Sequence, residues 1–389
     1  MSAFRWWNWA SLALGAALLA PASSTPPPTP STVGDASGAI CTVNSQMADP
    51  EDCPAYGPGA QELQLRQIGL APQRPLPVLP WDASLGQSIN LSYRAVSKYS
   101  PLQLYPSVAD ALAKTAAEVF HKGFVFISIH DEIIEGPTIL FNTPSGIARA
   151  DQVGARVNVS TFHGLQFSQT PDRTFGWVVG STYPSPQPGA AADKSLPWFD
   201  RYTPVQVYAT QQAGGLNWYL VGVGQWLDQG KVALVTPDST PPPGVPAGSR
   251  WIEVNLDQQT LAAYDHGQLV FATLTASGLP PWYTRPGVFQ IYQKLEVTPM
   301  SGSFTADFSD YYYLQDVPWV MYYDRARALH GTYWHNEFGS ERSHGCVNLT
   351  IADAHWLYNW TDIGTWVQVY DPSGKTPTNP SFYLNDAGY

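Results

Sequence analysis

A single cysteine stands among histidines and glycines near the C-terminal end of this 389-residue chain. Residues 343–348 read Ser-His-Gly-Cys-Val-Asn, and residues 330–335 read His-Gly-Thr-Tyr-Trp-His. A thiol attacks a carbonyl well only as its thiolate, so Cys346 needs a nearby base or cation, and the three histidines of these runs are the candidates. The glycine before the sulfur would let a substrate backbone come close. The two runs therefore predict nucleophilic attack on a carbonyl.

The spacing of these residues resembles a known active-site signature. Twelve residues separate His330 from Ser343. The L,D-transpeptidases, bacterial enzymes that cross-link peptidoglycan through a catalytic cysteine, carry an upstream His, a dozen or more residues, Ser/Thr-His-Gly-Cys, a hydrophobic residue, and Asn or Arg. Residues 251–264 resemble the opening hairpin of that domain, and residues 284–291 resemble its Thr-x-x-Gly-x-Phe-x-Ile strand. The resemblance covers residues 250–372, roughly a third of the chain.

The resemblance implies that Cys346 is the nucleophile and His330 its general base, with a nearby backbone carbonyl orienting the ring. Gly331 follows His330 and has no side chain that would crowd the site. His344 is a rival base because it lies two residues from the sulfur, and the two side chains share a face if the segment is extended. Spacing alone does not decide between the two histidines.

Residues around the nucleophile are expected to bind the oxyanion and to shape the loop. Backbone N–H groups of Gly345 and Cys346 are the expected oxyanion donors. Ser343 and Asn348 are expected to fix the loop by hydrogen bonds. Asn348 stands where some relatives carry Arg, so its part in carboxylate recognition stays open.

Several residues near the signature are expected to form the substrate groove. These are Gly331, Asn348 and the aromatic residues Tyr322, Tyr333 and Trp334. Aromatic residues also build hydrophobic cores, and the sequence alone does not separate the two roles.

A metal site is the alternative interpretation of the clustered histidines. His330, His335, His344 and Cys346 could in principle bind zinc. Their spacing matches no closed structural pattern, so we predict neither a metal nor another cofactor. His335 has no assigned role from the sequence.

The composition favours β-rich modules with aromatic surfaces. Hydrophobic residues make up 44% of the chain and aromatic residues 13%, while charged residues make up only 13%, about half the usual share. The formal net charge of −11 argues against nucleic acid as a partner.

The N-terminus predicts export. Arg5 precedes a mostly apolar stretch over residues 6–19, and Ala-Pro-Ala at 20–22 fits a cleavage site. An uncleaved anchor is the alternative, although the stretch is short for a membrane span. We expect cleavage to leave no stable span and to place the protein in the cell wall, the periplasm or the extracellular space. In such a compartment Cys41 and Cys53 are predicted to form a disulfide, which leaves Cys346 unpaired.

Proline clusters and a repeat divide the chain. Residues 98–105 recur as residues 201–208 with apolar and polar residues alternating, and short glycine-punctuated strands follow the second copy. This pattern resembles bacterial SH3-like modules, which could bind wall peptides or act only as spacers. The predicted organisation is a signal peptide at 1–22, a Pro-rich linker at 23–80, SH3-like modules at 81–165 and 166–236, a linker at 237–249, the catalytic domain at 250–372 and a tail at 373–389.

The predicted fold is mainly β, with two small SH3-like barrels before a β-sandwich catalytic domain. A short helix is expected within residues 110–120, and another over residues 350–360, where Thr350 can cap the first turn. A helix start just after Cys346 would favour its thiolate. Residues 366–370 are expected to form a closing strand.

The resemblance implies the reaction. We expect a monomer that forms 3→3 cross-links between peptidoglycan stem peptides, through a Cys346 thioester formed on a tetrapeptide stem. Water as the acceptor would instead make the site an L,D-carboxypeptidase. A non-catalytic wall-binding protein is a third possibility, and the complete set of signature residues argues against it.

Overall fold

Most of the regular secondary structure in the described residues is β-strand, in agreement with the mainly β prediction. The structure is a computed structural model that describes residues 76–86 and 92–383. The predicted signal peptide and the Cys41–Cys53 disulfide lie outside these residues, as does nearly all of the 23–80 linker. The described residues belong to one unit, Gln61–Tyr389.

Residues 76–86 and 92–383 form the following strands and helices. The strands are β1 (Ser92–Val96), β2 (Gln103–Tyr105), β3 (Glu118–Val119), β4 (Phe124–Ile129), β5 (Asp131–Glu135), β6 (Thr138–Thr143), β7 (Gly146–Arg149), β8 (Val153–Arg156), β9 (Leu165–Gln166), β10 (Phe175–Val178), β11 (Pro204–Gln206), β12 (Ala209–Ala213), β13 (Leu216–Gly222), β14 (Gln225–Asp228), β15 (Val232–Val235), β16 (Arg250–Asn255), β17 (Thr260–Asp265), β18 (Gln268–Leu274), β19 (Gly287–Gln290), β20 (Gln293–Gly302), β21 (Tyr312–Asp324), β22 (Arg327–Gly331), β23 (Val347–Leu349) and β24 (Trp366–Tyr370). The α-helices are α1 (Val108–Ala113) and α2 (Ile351–Trp360), and 3-10 turns cover Ala83–Gly86, Ala150–Gln152 and Pro380–Tyr383.

Two large sheets carry the C-terminal region. One has the order β19-β24-β16-β17-β18-β9, and the other has the order β23-β22-β21-β4-β1-β8 with β20 also paired to β21. The β16–β17 hairpin, expected from the family resemblance of residues 251–264, and the closing strand β24, expected at residues 366–370, are both present. Buried side chains from both sheets and from α2 form one hydrophobic cluster, which includes Ile252, Met321, Leu329, Val347 and Leu357.

Helix α2 begins where the capping pattern predicts. The side chain of Thr350 accepts a hydrogen bond from the backbone N–H of Asp353, which satisfies one donor of the first turn. The Asp353 carboxylate in turn accepts from Gly164 N–H and from Thr273 Oγ1. The short helix expected within residues 110–120 lies at Val108–Ala113 instead, because Ser107 supplies the cap.

Strands of the N-terminal region are divided among several sheets. Strands β1, β4 and β8 belong to the sheet of β21, and β9 pairs with β18. The strands predicted after the second repeat copy are present as β13, β14 and β15, in two different three-stranded sheets. The SH3-like modules and their boundaries therefore stay predictions. No helix among residues 76–86 and 92–383 is long and apolar enough to cross a membrane.

Candidate active site

Two adjacent parallel strands bring the predicted nucleophile and base together. Strands β22 and β23 pair with Leu329 opposite Val347 and with His330 opposite Asn348. Paired residues of adjacent strands point to the same face of the sheet, so the side chains of His330 and Asn348 share a face. Side chains alternate along a strand, so Cys346, two residues before Asn348, points to that face as well. All three line a cavity of about 920 Å³. The structure thus places the two predicted catalytic residues in one cavity.

His330 is held in one tautomer. Its Nδ1 lies 3.1 Å from the carbonyl oxygen of Gly331, and a carbonyl can only accept, so Nδ1 carries the proton. Nε2 then carries the lone pair that a general base needs. Burial lowers the pKa of His330 to about 4, because the charged ring would lose its hydration. His330 is therefore neutral at pH 7 and able to accept a proton.

Cys346 rests in apolar surroundings. Its Sγ lies 3.8 Å from the carbonyl oxygen of Ala326. Burial raises the pKa of the thiol, and the opposing effects of the Ala328 backbone and the Arg327 guanidinium are smaller. The expected help from the start of α2 is weak, since β23 separates them by roughly 10 Å and a helix dipole acts mainly within its first turn.

His344 occupies an aromatic enclosure. Its ring lies 4.4 Å from that of Trp282, 5.3 Å from that of Tyr312 and 5.5 Å from that of Phe304. Burial lowers its pKa, and Asp310 opposes that effect. The argument for His344 as base assumed an extended segment, but Gly345 has φ +115° and turns the chain between His344 and Cys346. The His344 ring therefore forms part of the cavity wall.

Hydrogen bonds fix the loop around the nucleophile. Ser343 Oγ donates to the carbonyl of Cys346 at 2.5 Å and accepts from the N–H of Gly345 at 3.1 Å. Thr284 Oγ1 donates to the Gly345 carbonyl and accepts from Gly278 N–H. Ser343 fixes the loop as expected. The Gly345 N–H, predicted to bind the oxyanion, is engaged by Ser343 in this state.

The predicted groove residues have different positions. Trp334 lines the cavity. Tyr333 is fully buried, stacks on Tyr93 with ring centroids 3.6 Å apart, and donates to the Gln315 carbonyl, so it belongs to the core and not to the groove. Tyr322 does not line the cavity and packs against a hydrophobic cluster that Cys346 also contacts.

Gly331 and His335 are close to the site in sequence but do not line the cavity. A side chain at Gly331 would meet Pro318 at 2.9 Å and the helix residue Ile351, so this glycine is needed for packing and not for substrate access. His335 Nε2 lies 3.0 Å from the Asn348 amide, and its Nδ1 accepts from Glu337 N–H. These bonds do not converge on an ion, and within the described ranges no cluster of three or more His, Cys, Asp or Glu residues could hold a metal.

The cavity has walls that the signature does not reveal. One comes from the segment between β18 and β19, from the loop between β20 and β21, and from the first residues of β21 and β22. Another comes from the region before residue 125. These residues share no spacing with Cys346, and they are Trp282, Phe304, Phe308, Asp310, Tyr312 and Arg327, together with Lys98, Tyr99, His121, Lys122 and Phe124. His121 stacks on Phe308 with centroids 4.1 Å apart, which joins the two walls.

Comparison with known families agrees with this geometry. Residues 249–369 match the family model of the L,D-transpeptidase catalytic domain, YkuD. The match contains both strands of the site, with His330 and Cys346.

Individual relatives cover parts of the chain. A segment of 62 residues is 37% identical to the probable L,D-transpeptidase YbiS of Escherichia coli, over 16% of this chain and 20% of that protein. The chain thus spans about a fifth of this relative's length. A cysteine-to-serine mutant of the Enterococcus faecium L,D-transpeptidase is 28% identical over 31% of this chain and 50% of that one, with TM-score 0.29. The catalytic domain from E. faecium acylated by ertapenem is 29% identical over 32% and 100%, with TM-score 0.29.

Proposed function

We propose that this protein is an L,D-transpeptidase that forms 3→3 cross-links in peptidoglycan outside the cytoplasm. The observation that carries the proposal is the shared cavity of Cys346 and His330, in which the Gly331 carbonyl leaves His330 Nε2 as the acceptor of a proton. The family match over residues 249–369 supports the same chemistry.

Acylation is the first half of the proposed reaction. A tetrapeptide stem binds with the carbonyl of its third residue at Cys346. The thiol gives its proton to Nε2 of His330 as the sulfur attacks that carbonyl carbon. The tetrahedral intermediate collapses by breaking the bond to the terminal D-Ala, whose amine takes the proton from His330. A thioester on Cys346 remains.

Cross-linking is the second half. The side-chain amine of a second stem attacks the thioester carbonyl and gives a proton to His330. The carbon–sulfur bond breaks, and the leaving sulfur takes the proton back, which restores the neutral pair. Water in place of the amine would release a tripeptide, so the product distinguishes a transpeptidase from an L,D-carboxypeptidase.

Defined tetrapeptide muropeptides test the proposal. We expect mass spectrometry to show a cross-linked dimer with the wild type and no product with Cys346→Ser, since the hydroxyl is a far weaker nucleophile. His330→Ala should slow the reaction roughly 100- to 10,000-fold, the usual cost of losing a general base.

His266→Ala is the control, because His266 lies exposed at a hairpin turn. Tripeptide without dimer would replace the transpeptidase by a carboxypeptidase. Activity of Cys346→Ser equal to that of the wild type would end the proposal.

A further inference from the structure

The hydrogen bond between His335 and Asn348 has a definite polarity. His335 Nδ1 accepts from the backbone N–H of Glu337 at 3.2 Å, so Nδ1 carries the lone pair. In a neutral ring the other nitrogen, Nε2, must then carry the proton. Burial, with nearby Arg342, His330 and Arg201, lowers the pKa of His335 to about 4, which keeps the ring neutral at pH 7. The partner of Nε2 must therefore be an acceptor.

Asn348 supplies that acceptor only in one orientation of its amide. With the amide nitrogen at 3.0 Å from His335 Nε2, two donors would face each other. In that orientation Asn348 Oδ1 is also buried without a hydrogen-bond partner. Exchanging the amide oxygen and nitrogen, which look alike in shape, removes both conflicts at once. Oδ1 then accepts from His335 Nε2–H, and the N–H₂ group takes the other side of the amide.

The N–H₂ group then occupies a buried position without a hydrogen-bond partner in the protein. Asn348 is 1% exposed and lines the cavity with Cys346 and His330, whereas His335 does not line it. We infer that His335 is a positioning residue, which holds the Asn348 amide so that its N–H₂ donates to a carbonyl oxygen of the bound stem peptide. This inference rests on the proposed function for the identity of that ligand. A hydrogen-bond donor from Asn348 would supplement the backbone donors expected for the oxyanion, because the Gly345 N–H already donates to Ser343.

The state of His335 can be measured without any substrate. Nitrogen-15 NMR of histidine-labelled wild-type protein at pH 7 should show His335 protonated on Nε2 and unprotonated on Nδ1, with the assignment made by loss of the signals in His335→Gln. A ring protonated on Nδ1 would overturn the inference, because Oδ1 would then have no donor. This readout does not depend on cross-linking, so it stands even if the proposed function fails.

Acylation by ertapenem, followed by intact mass, tests the path through Asn348. His335→Phe should slow acylation roughly tenfold, the effect of losing about 1.4 kcal/mol of transition-state stabilisation. His335→Gln should retain most of the rate, since its amide N–H₂ can still donate to Oδ1. Asn348→Asp should be slower than His335→Phe, because it keeps the acceptor for His335 and replaces the cavity donor with an oxygen.

A double-mutant cycle separates this role from a merely structural one. If His335 acts through Asn348, His335→Phe should add no further loss to Asn348→Ala. Additive losses would contradict the inference, and so would a His335→Phe rate equal to that of the control His266→Phe. If the wild type itself gains no adduct, the proposed function fails, and the NMR result still decides the orientation of His335.

Discussion

At the scale of single residues, the predicted catalytic pair, Cys346 and His330, is uncharged at rest. Burial lowers the pKa of His330 to about 4 and raises the pKa of the Cys346 thiol, so both shifts favour the neutral forms. A preformed thiolate–imidazolium pair would require the opposite shifts. In the proposed reaction the proton would therefore be transferred as the sulfur attacks, when the substrate carbonyl begins to take up charge.

Alkylation measures the resting state of the thiol. Because the pKa of Cys346 is raised, the rate of its reaction with iodoacetamide should keep rising from pH 6 to above pH 9. The rate at pH 7 should be lower than that of an unstructured peptide containing cysteine. Peptide mapping identifies the modified residue, and Cys346→Ser is the control. A rate that is already constant between pH 5 and pH 8 would show a preformed ion pair instead.

The sequence predicts a nucleophile and a base but not their charge state. Cys346 and His330 are recognisable because the signature lies in a short stretch of chain. The charge state of a buried group depends on side chains that come from distant segments of the chain. The ring of His344, for example, is enclosed by Tyr312 and Trp282. His335 had no assigned role because its partner, Asn348, comes close only through the pairing of β22 with β23.

At the scale of elements, β21 links the N-terminal strands to the site. It pairs with β20 and β22, and its first residues pair in parallel with β4. Local elements such as α2 and the β16–β17 hairpin are predictable, because caps and alternation are read from neighbouring residues. The β4–β21 pairing is not predictable in this way, since Phe124 and Tyr312 carry no mutual signal in one sequence.

Gly123 permits this pairing. A Cβ at Gly123 would lie 2.2 Å from the Tyr311 carbonyl oxygen, which also accepts from Phe124 N–H at 2.9 Å. Gly123→Ala should therefore separate β4 from β21 and lower the free energy of unfolding by roughly 1–3 kcal/mol, which urea denaturation would measure. Gly180→Ala is the matched control, because no atom lies within 4 Å of a Cβ there. Equal stability of the two variants would show that β4 does not need this close approach.

At the scale of the whole molecule, the segment that matches the family shares its sheets with the region before it. Strands β1, β4 and β8 complete the sheet of β21, and β9 extends the sheet of β18. The contact includes buried aromatic rings, since Tyr93 is 1% exposed and stacks on Tyr333. It also includes polar groups, since Tyr93 donates to the Asp316 carbonyl at 3.1 Å. These contacts argue against an independently stable domain at 250–372.

Two fragments test whether the segment that matches the family model folds stably without the region before it. A fragment of residues 237–389 would leave β21 and β18 with open edges and Tyr333 without its stacking partner, whereas a fragment of residues 76–389 keeps these contacts. We expect the shorter fragment to unfold at a lower urea concentration or to aggregate, and to gain an ertapenem adduct more slowly. Both fragments lack residues 1–75, so the comparison isolates residues 76–236. Equal unfolding midpoints and equal adduct rates would instead support the domain boundary predicted at residue 250, and would leave the N-terminal strands without a role in forming the site.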